Sequence, residues 1–257
     1  MRLYMKFFAM HLKRRMTYKR SFIFSLIGQF LVSFTSFLAI VFLLDRFETV
    51  KEYSLGECML CMSVITMTFS FAECFFRGFD TFPSLIKSGS FDRVLLRPMN
   101  PVFLVLCESI EFARLGKLIQ GVIMLVMGIG LAPVSWTFAK ALVLILMLAG
   151  GTAVFSGLFI LYAGASFFTI EGLKFINILT YGAKEYGAYP MDIYGKNLLR
   201  FCTFIIPYAL FQYYPLCFLL GRTANILYAL APLMDFIFLI PCILFWRWGV
   251  SRYTSAG

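Results

Sequence analysis

The stretch "SFIFSLIGQFLVSFTSFLAIVFLL", Ser21–Leu44, runs for 24 residues without a charged side chain. As a helix it reaches about 36 Å, more than the roughly 30 Å of a bilayer's hydrocarbon core. Charge brackets it on both sides. Upstream, residues 1–20 hold Arg2, Lys6, Lys13, Arg14, Arg15, Lys19 and Arg20 and no acid. Downstream, Asp45, Glu48, Glu52 and Glu57 outnumber Arg46 and Lys51. A basic arm beside an apolar run is the pattern that holds an N-terminus in the cytoplasm and meets anionic lipid. The run exceeds the h-region of a signal peptide and no small-x-small site follows it, so it reads as a retained anchor.

The whole chain agrees with this stretch. Of its 257 residues, 61% are hydrophobic and 14% charged, against about a quarter charged in soluble domains. The net charge of +10 would suit nucleic acid in a soluble protein. Here it is concentrated beside a span, and nucleic-acid binding is not expected. Five further spans are predicted at about 57–79, 115–131, 139–168, 196–220 and 227–248. The expected fold is an all-α integral membrane protein of six transmembrane helices, a single domain over 1–257 with no room for a second, soluble one. Residues 169–195, Gly- and Tyr-rich with mixed charge, read as an interfacial segment.

Basic-rich segments alternate with acidic or neutral ones. The arm, the loop between spans two and three, the segment between four and five, and the tail all fall on one side. Under the positive-inside rule that side is the cytoplasm, with both termini there.

Enzymatic constellations are missing from the sequence. The one histidine, His11, lies in the arm with no nucleophile or carboxylate set around it and reads as a surface residue. "GKL" at Gly116 and "GKN" at Gly195 lack the leading glycine and the hydroxyl residue of a P-loop. Cys58 and Cys61 in "CMLC" have suggestive spacing, but no second pair or histidine completes a zinc site. Buried packing is their expected role, and whether they form a disulfide stays open.

Charges inside spans carry a functional hypothesis by default, because each costs about 2.5–3.5 kcal/mol at mid-bilayer. Glu73 stands one turn before Arg77, an order that predicts an ion pair near the inner surface, with a substrate contact as the other reading. Asp235 has no cation one turn away. It is a candidate either for lining a polar pathway or for meeting a partner subunit. Glu108, Glu111, Arg114 and Lys117 recur at three-residue spacing and predict one charged face of a surface helix. Pro207 and Pro215 bracket "YALFQYY", which includes Tyr213 and Tyr214. Broken backbone at membrane depth survives only against protein or a cavity, so a broken or re-entrant helix near the exterior is expected, with simple kinking as the alternative.

Between spans two and three lies "SGSFDRVLLRPMNP", Ser88–Pro101. Ser90 is placed to cap a short helix in which Phe91, Val94 and Leu95 share a face. Pro98 ends it and Pro101 starts the next, while Arg93 and Arg97 share an exposed side. This is a docking element in form, within a cytoplasmic loop over residues 80–101.

The pattern G-x-F-D-x-x-L-L-R-P-x-N-P in this stretch resembles the six-span permeases of type-2 ABC transporters, a bacterial subfamily found beside a separate ATPase and often a second permease. Tyr189–Arg222 is similar to that family's fifth-span region, and "YTSAG", Tyr253–Gly257, to its closing motif. The resemblance implies a plasma-membrane exporter subunit with no cofactor of its own, since ATP and Mg belong to the partner. It implies two cytoplasmic ABC ATPase subunits and a second permease, of the same or a different chain. It also implies that the loop carries a coupling helix, matched here by Phe91, Asp92, Arg93, Val94, Leu95, Arg97 and Pro98. Re-entrant helices close the outer end of such permeases, and Pro207–Leu220 matches the approach to that gate. With Tyr213, Tyr214, Pro215, Glu73 and Asp235 these are the pathway or gate candidates. The alternatives are an ATP-independent transporter or channel, against which no inverted repeat is seen, and an integral-membrane enzyme. The substrate is not legible.

Overall fold

Apolar runs can enter lipid only with their backbone groups paired internally, which forces helices. The computed structural model describes residues 2–47, 53–169 and 173–254. Among them no β-strand occurs. The arm forms α1 (Arg2–Met16), and the opening stretch lies in α2 (Lys19–Phe47). After α3 (Leu55–Phe75) come four short helices: α4 (Arg77–Asp80), α5 (Phe82–Lys87), α6 (Ser90–Leu95) and α7 (Pro101–Glu108). A 3₁₀ turn, Phe112–Arg114, leads into α8 (Leu115–Leu131), followed by α9 (Phe138–Ala165) and α10 (Leu173–Tyr186). Then come α11 (Lys196–Phe204), α12 (Tyr208–Phe211), α13 (Tyr213–Leu219), α14 (Ile226–Leu230) and α15 (Asp235–Ser251).

The long helices pack around α3, which begins with a capping box. Ser54 N–H donates to Glu57 Oε2 at 2.7 Å and Glu57 N–H to Ser54 Oγ at 3.4 Å. α8 and α9 flank α3, α2 packs on α8, and α15 on α9. With no hydrophobic drive between helices in lipid, small residues permit the close approach. A Cβ on Gly116 of α8 would stand 2.1 Å from the Leu26 carbonyl oxygen of α2. Several buried hydroxyls are satisfied within their own helices: Ser63 Oγ donates to the Leu60 carbonyl at 2.7 Å and Thr68 Oγ1 to that of Val64 at 2.8 Å.

The arm is not a free surface helix. Phe8 of α1 packs edge-on against Phe112 at 5.0 Å. His11, expected at the surface, is buried, with Nε2 2.9 Å from the Cys107 carbonyl oxygen. The apolar side of α1 needs a partner and finds it across the α7–α8 junction. That junction also breaks the expected charged face. Glu108 ends α7, and Glu111, Arg114 and Lys117 fall in a turn and a new helix, so Glu111 turns to Arg15 while Arg114 and Lys117 turn to Glu73.

The fifth passage also differs from expectation. Tyr181 of α10 donates to Asp80 Oδ2 at 3.0 Å, just past the arm-side end of α3. Asp192, beyond α10, accepts from Tyr53 Oη at 3.1 Å, beside the opposite end of α3. Residues 181–192 therefore run the length of α3, about 31 Å. Their polarity concealed this from hydropathy.

Residues 196–220, expected as the fifth span, instead return to the end they leave from. The Arg222 guanidinium after them lies 4.0 Å over the Tyr53 ring, so both flanks of the segment meet the same residue. Between Lys196–Phe204 and Tyr208–Leu219 the axis turns by 93°. The break falls at Pro207, whose missing N–H cannot continue the ladder. The sixth span is likewise interrupted, by a 3₁₀ turn at Ala231–Leu233 around Pro232, and Pro241 lies inside α15.

Candidate functional site

Two sites stand at opposite ends of the bundle. At the arm end, the 80–101 loop presents α6. Its N-cap is Gly89, not Ser90. Gly89 sits at φ 64°, the left-handed region that costs glycine nothing, so the helix starts one residue earlier than the serine suggested. Ser90 Oγ instead accepts from Arg93 Nη2 at 3.0 Å. Asn100 Oδ1 accepts from Val102 N–H at 3.0 Å and Pro101 opens α7.

The α6 residues divide between inside and outside. Phe91 is fully buried and Val94 nearly so, whereas Leu95 is 39% and Leu96 84% exposed. Leu95 thus does not share the buried face expected of it. Phe91 cannot itself touch another protein, because it is enclosed by Phe82, Phe167 and Tyr253 at ring-centroid distances of 4.9, 5.7 and 5.2 Å. Phe82 and Phe167 in turn meet Trp246 of α15 at 6.2 and 6.4 Å. Such pairs are in the favoured aromatic range and add to the burial they bring. The outward set is Arg93, Leu95, Leu96, Arg97 and Pro98, with Asp92 half-buried. Leu96 is the residue that sequence reasoning missed. Counting exposed leucines after the helix end would have found it. Of the closing YTSAG, Tyr253 and Thr254 fall within the described residues and 255–257 outside them.

Behind this loop the buried charges are paired differently from the i,i+4 expectation. Glu73 is fully buried and accepts from Lys117 Nζ at 3.0 Å, with Arg114 Nη1 at 3.5 Å. Arg114 also donates to Gln29 Oε1 at 2.9 Å, so α3, α8 and α2 share one network. Arg77 turns away from Glu73, pairing with Asp80 and donating to Tyr181 Oη at 3.1 Å. Burial pushes the Asp80 carboxyl up despite Arg77 beside it. Arg15 Nη2 holds Glu111 Oε1 at 2.7 Å.

At the far end the hairpin α11–α13 drives its tip into the bundle. Phe211 is fully buried and packs on Phe155 at 6.1 Å. A Cβ on Gly151 would stand 2.7 Å from the Phe211 ring. Gln212 Nε2 donates to the Gly187 carbonyl and, at 3.3 Å, to that of Tyr189. Tyr208 Oη donates to the Leu179 carbonyl. Pro207 and Pro215 are buried; Tyr213 and Tyr214 are half-buried, with Tyr214 Oη 3.1 Å from Thr203 Oγ1. Arg222 Nη2 reaches Glu57 Oε1 at 3.3 Å, anchoring the return strand of the hairpin to the start of α3.

Asp235 lies between α9 and α15, fully buried, and neither carboxyl oxygen has a hydrogen-bond partner among the described residues. A Cβ on Gly150 would approach its Oδ2 to 2.7 Å. The residue therefore faces a packed helix interface. The seven cysteines, including Cys58 and Cys61, are buried and unbridged. Burial pushes the Cys107 thiol up to about 11, away from the reactive thiolate.

A cleft of about 310 Å³ opens between α2, α3 and α10. Thr35, Ser36 and Thr66 line it with Glu185 and Tyr189. Its lining is partly polar, in contrast to a groove of about 500 Å³ walled by Met67, Phe71, Val122 and Leu148.

No curated protein and no solved structure matches the chain. A family model described as ABC-2 family transporter protein matches residues 30–257, which takes in both sites, the later part of α2 and every helix from α3 onward. This multi-pass helical membrane chain belongs to the ABC-2 transporter family, as a permease-type transport component.

Proposed function

We propose that the chain is the membrane-spanning subunit of a bacterial plasma-membrane ABC exporter. In this reading two cytoplasmic ATPase subunits bind the arm end, and a second permease completes the pathway. ATP and Mg stay with the ATPase, and the chain itself performs no covalent chemistry. The arm end is cytoplasmic by the charge argument, and the hairpin α11–α13 lies near the exterior as part of the outer gate. One observation carries the reading: α6 exposes Leu95, Leu96 and Arg97 at its tip while Phe91 roots it in an aromatic cluster reaching Trp246.

That arrangement couples a surface contact to the helices behind it. A rigid shift of α6 moves Phe91 against Phe82 and Phe167, and these sit on Trp246 of α15 and on the chain just past α9. Close-packed aromatic contacts transmit displacement because they cannot compress. The partner must bind the two states of the bundle with different affinity, or ATP turnover moves nothing. The polar cleft beside α10 then supplies one wall of the path, and Glu73 stays a structural charge, being closed off by Lys117 and Arg114.

The test is co-purification of the complex from native membranes. Leu96→Asp with Arg97→Glu is expected to remove the ATPase subunit or to abolish transport-stimulated hydrolysis while the permease still folds. Unchanged assembly together with unchanged stimulation sinks the coupling role. An ATPase absent from the wild-type complex would favour an ATP-independent carrier.

A further inference from the structure

At the elbow where α1 turns into α2, a cleft of about 410 Å³ is bounded by Arg14, Arg15, Tyr18, Ser21 and Ser25, with Phe22 and Ala113 as its apolar side. Half of its charge, that of Arg14, is uncompensated. Residues 1–20 contain no acid, and the nearest carboxylate, Glu111, is already held by Arg15 at 2.7 Å. That contact fixes the Arg15 guanidinium in place. Arg14 makes no ion pair or hydrogen bond among the described residues and is exposed. Ser21 and Ser25, one turn apart, share the cleft side of the helix, and Ser25 Oγ donates to the Ser21 carbonyl at 2.9 Å.

We propose that this elbow binds the phosphate headgroup of an anionic phospholipid, with Arg14, Arg15 and the hydroxyls of Tyr18 and Ser21 as its recognition set. Guanidinium groups suit phosphate oxygens because their N–H fork matches them in a plane. A tyrosine at the junction of a polar arm and a span sits at headgroup depth. On the cleft's own side the helix carries the apolar Phe22 and, two turns beyond Ser25, exposed Val32. A lipid with its phosphate in the cleft would lay its acyl chains along them. Free phosphate would leave that surface uncovered, so the lipid is the occupant.

The site is read by native mass spectrometry of the detergent-solubilised full chain with added phosphatidylglycerol or phosphatidylcholine. Phosphatidylglycerol should be retained in preference. Arg14→Gln should weaken that retention about fivefold, the effect of one basic side chain near an anionic surface. Arg14→Lys should restore most of it, and Lys6→Gln, an exposed cation outside the cleft, should leave it unchanged. Circular dichroism of Arg14→Gln should match wild type, since the side chain holds nothing within the chain. Equal retention of the two lipids, or equal loss in Lys6→Gln, would overturn the site in favour of diffuse charge. Displacement of the lipid by millimolar inorganic phosphate would overturn it in favour of a free-anion site.

Discussion

The 88–101 loop and the 196–220 hairpin are both short helices broken by prolines, yet they place their tips oppositely. The loop turns its tip out. Leu96 and Arg97 stand in solvent, and only Phe91 and Val94 are rooted below. The hairpin turns its tip in, burying Pro207, Tyr208 and Phe211 against α9 and α10. The difference follows from what each offers its neighbours. "VLLRP" ends on a cation and a proline with unfilled surface, whereas "PYALFQ" offers rings and an amide that find carbonyls left open where α10 ends. In the proposed function, the exposed apolar tip beside a cation is the one a partner protein would complete, and the filled tip the one that would close space.

Truncation separates the two kinds of tip. Phe211→Ala and Phe91→Ala, both at fully buried rings, should each cost about 3–5 kcal/mol in detergent unfolding. Leu96→Ala should stay within about 0.5 kcal/mol of wild type. Equal costs at Phe211 and Leu96 would erase the distinction between inward and outward tips. Next in size is partner binding: Leu96→Asp with Arg97→Glu should weaken ATPase association about tenfold or more, as loss of an interface anchor does.

Within the hairpin, Gln212→Leu strands two carbonyls, those of Gly187 and Tyr189. It should cost about 1–3 kcal/mol of stability, read as a lowered melting temperature. Arg222→Ala should have a smaller effect than these buried-site changes, with only Leu96→Ala below it. Its pair with Glu57 is exposed on the arginine side, and such pairs are worth about 0–1 kcal/mol. A large loss there would mean that the return strand, and not the buried tip, holds the hairpin in place.

Much of this was legible in the sequence. Hydropathy located the long helices, and the third span, 115–131, coincides with α8 (Leu115–Leu131). Proline at 207 announced the break that the 93° turn displays. What stayed hidden depends on contacts between distant residues. The helical spacing rule offered Arg77 to Glu73, but it sees one helix only, and Lys117 and Arg114 approach from another. His11 reads as a surface residue until Cys107, far along the chain, supplies its carbonyl partner. α10 is too polar to pass as a span by composition. Only the contacts of Tyr181 with Asp80 and, beyond α10, of Asp192 with Tyr53 reveal the path of the segment along α3. Leu96 was overlooked because apolar residues near a helix end are read inward by default, and here no neighbour covers it.

The account's central claim is that the outward tip of α6 meets an ATPase and the inward tip of the hairpin does not. A photo-crosslinking amino acid at position 96, and in parallel at 211, tests this in native membranes. The account predicts that the probe at 96 captures an ATP-binding protein and the probe at 211 captures none. Capture at both positions, or at 211 alone, would contradict it, as would an uncrosslinked tip in cells that carry out transport.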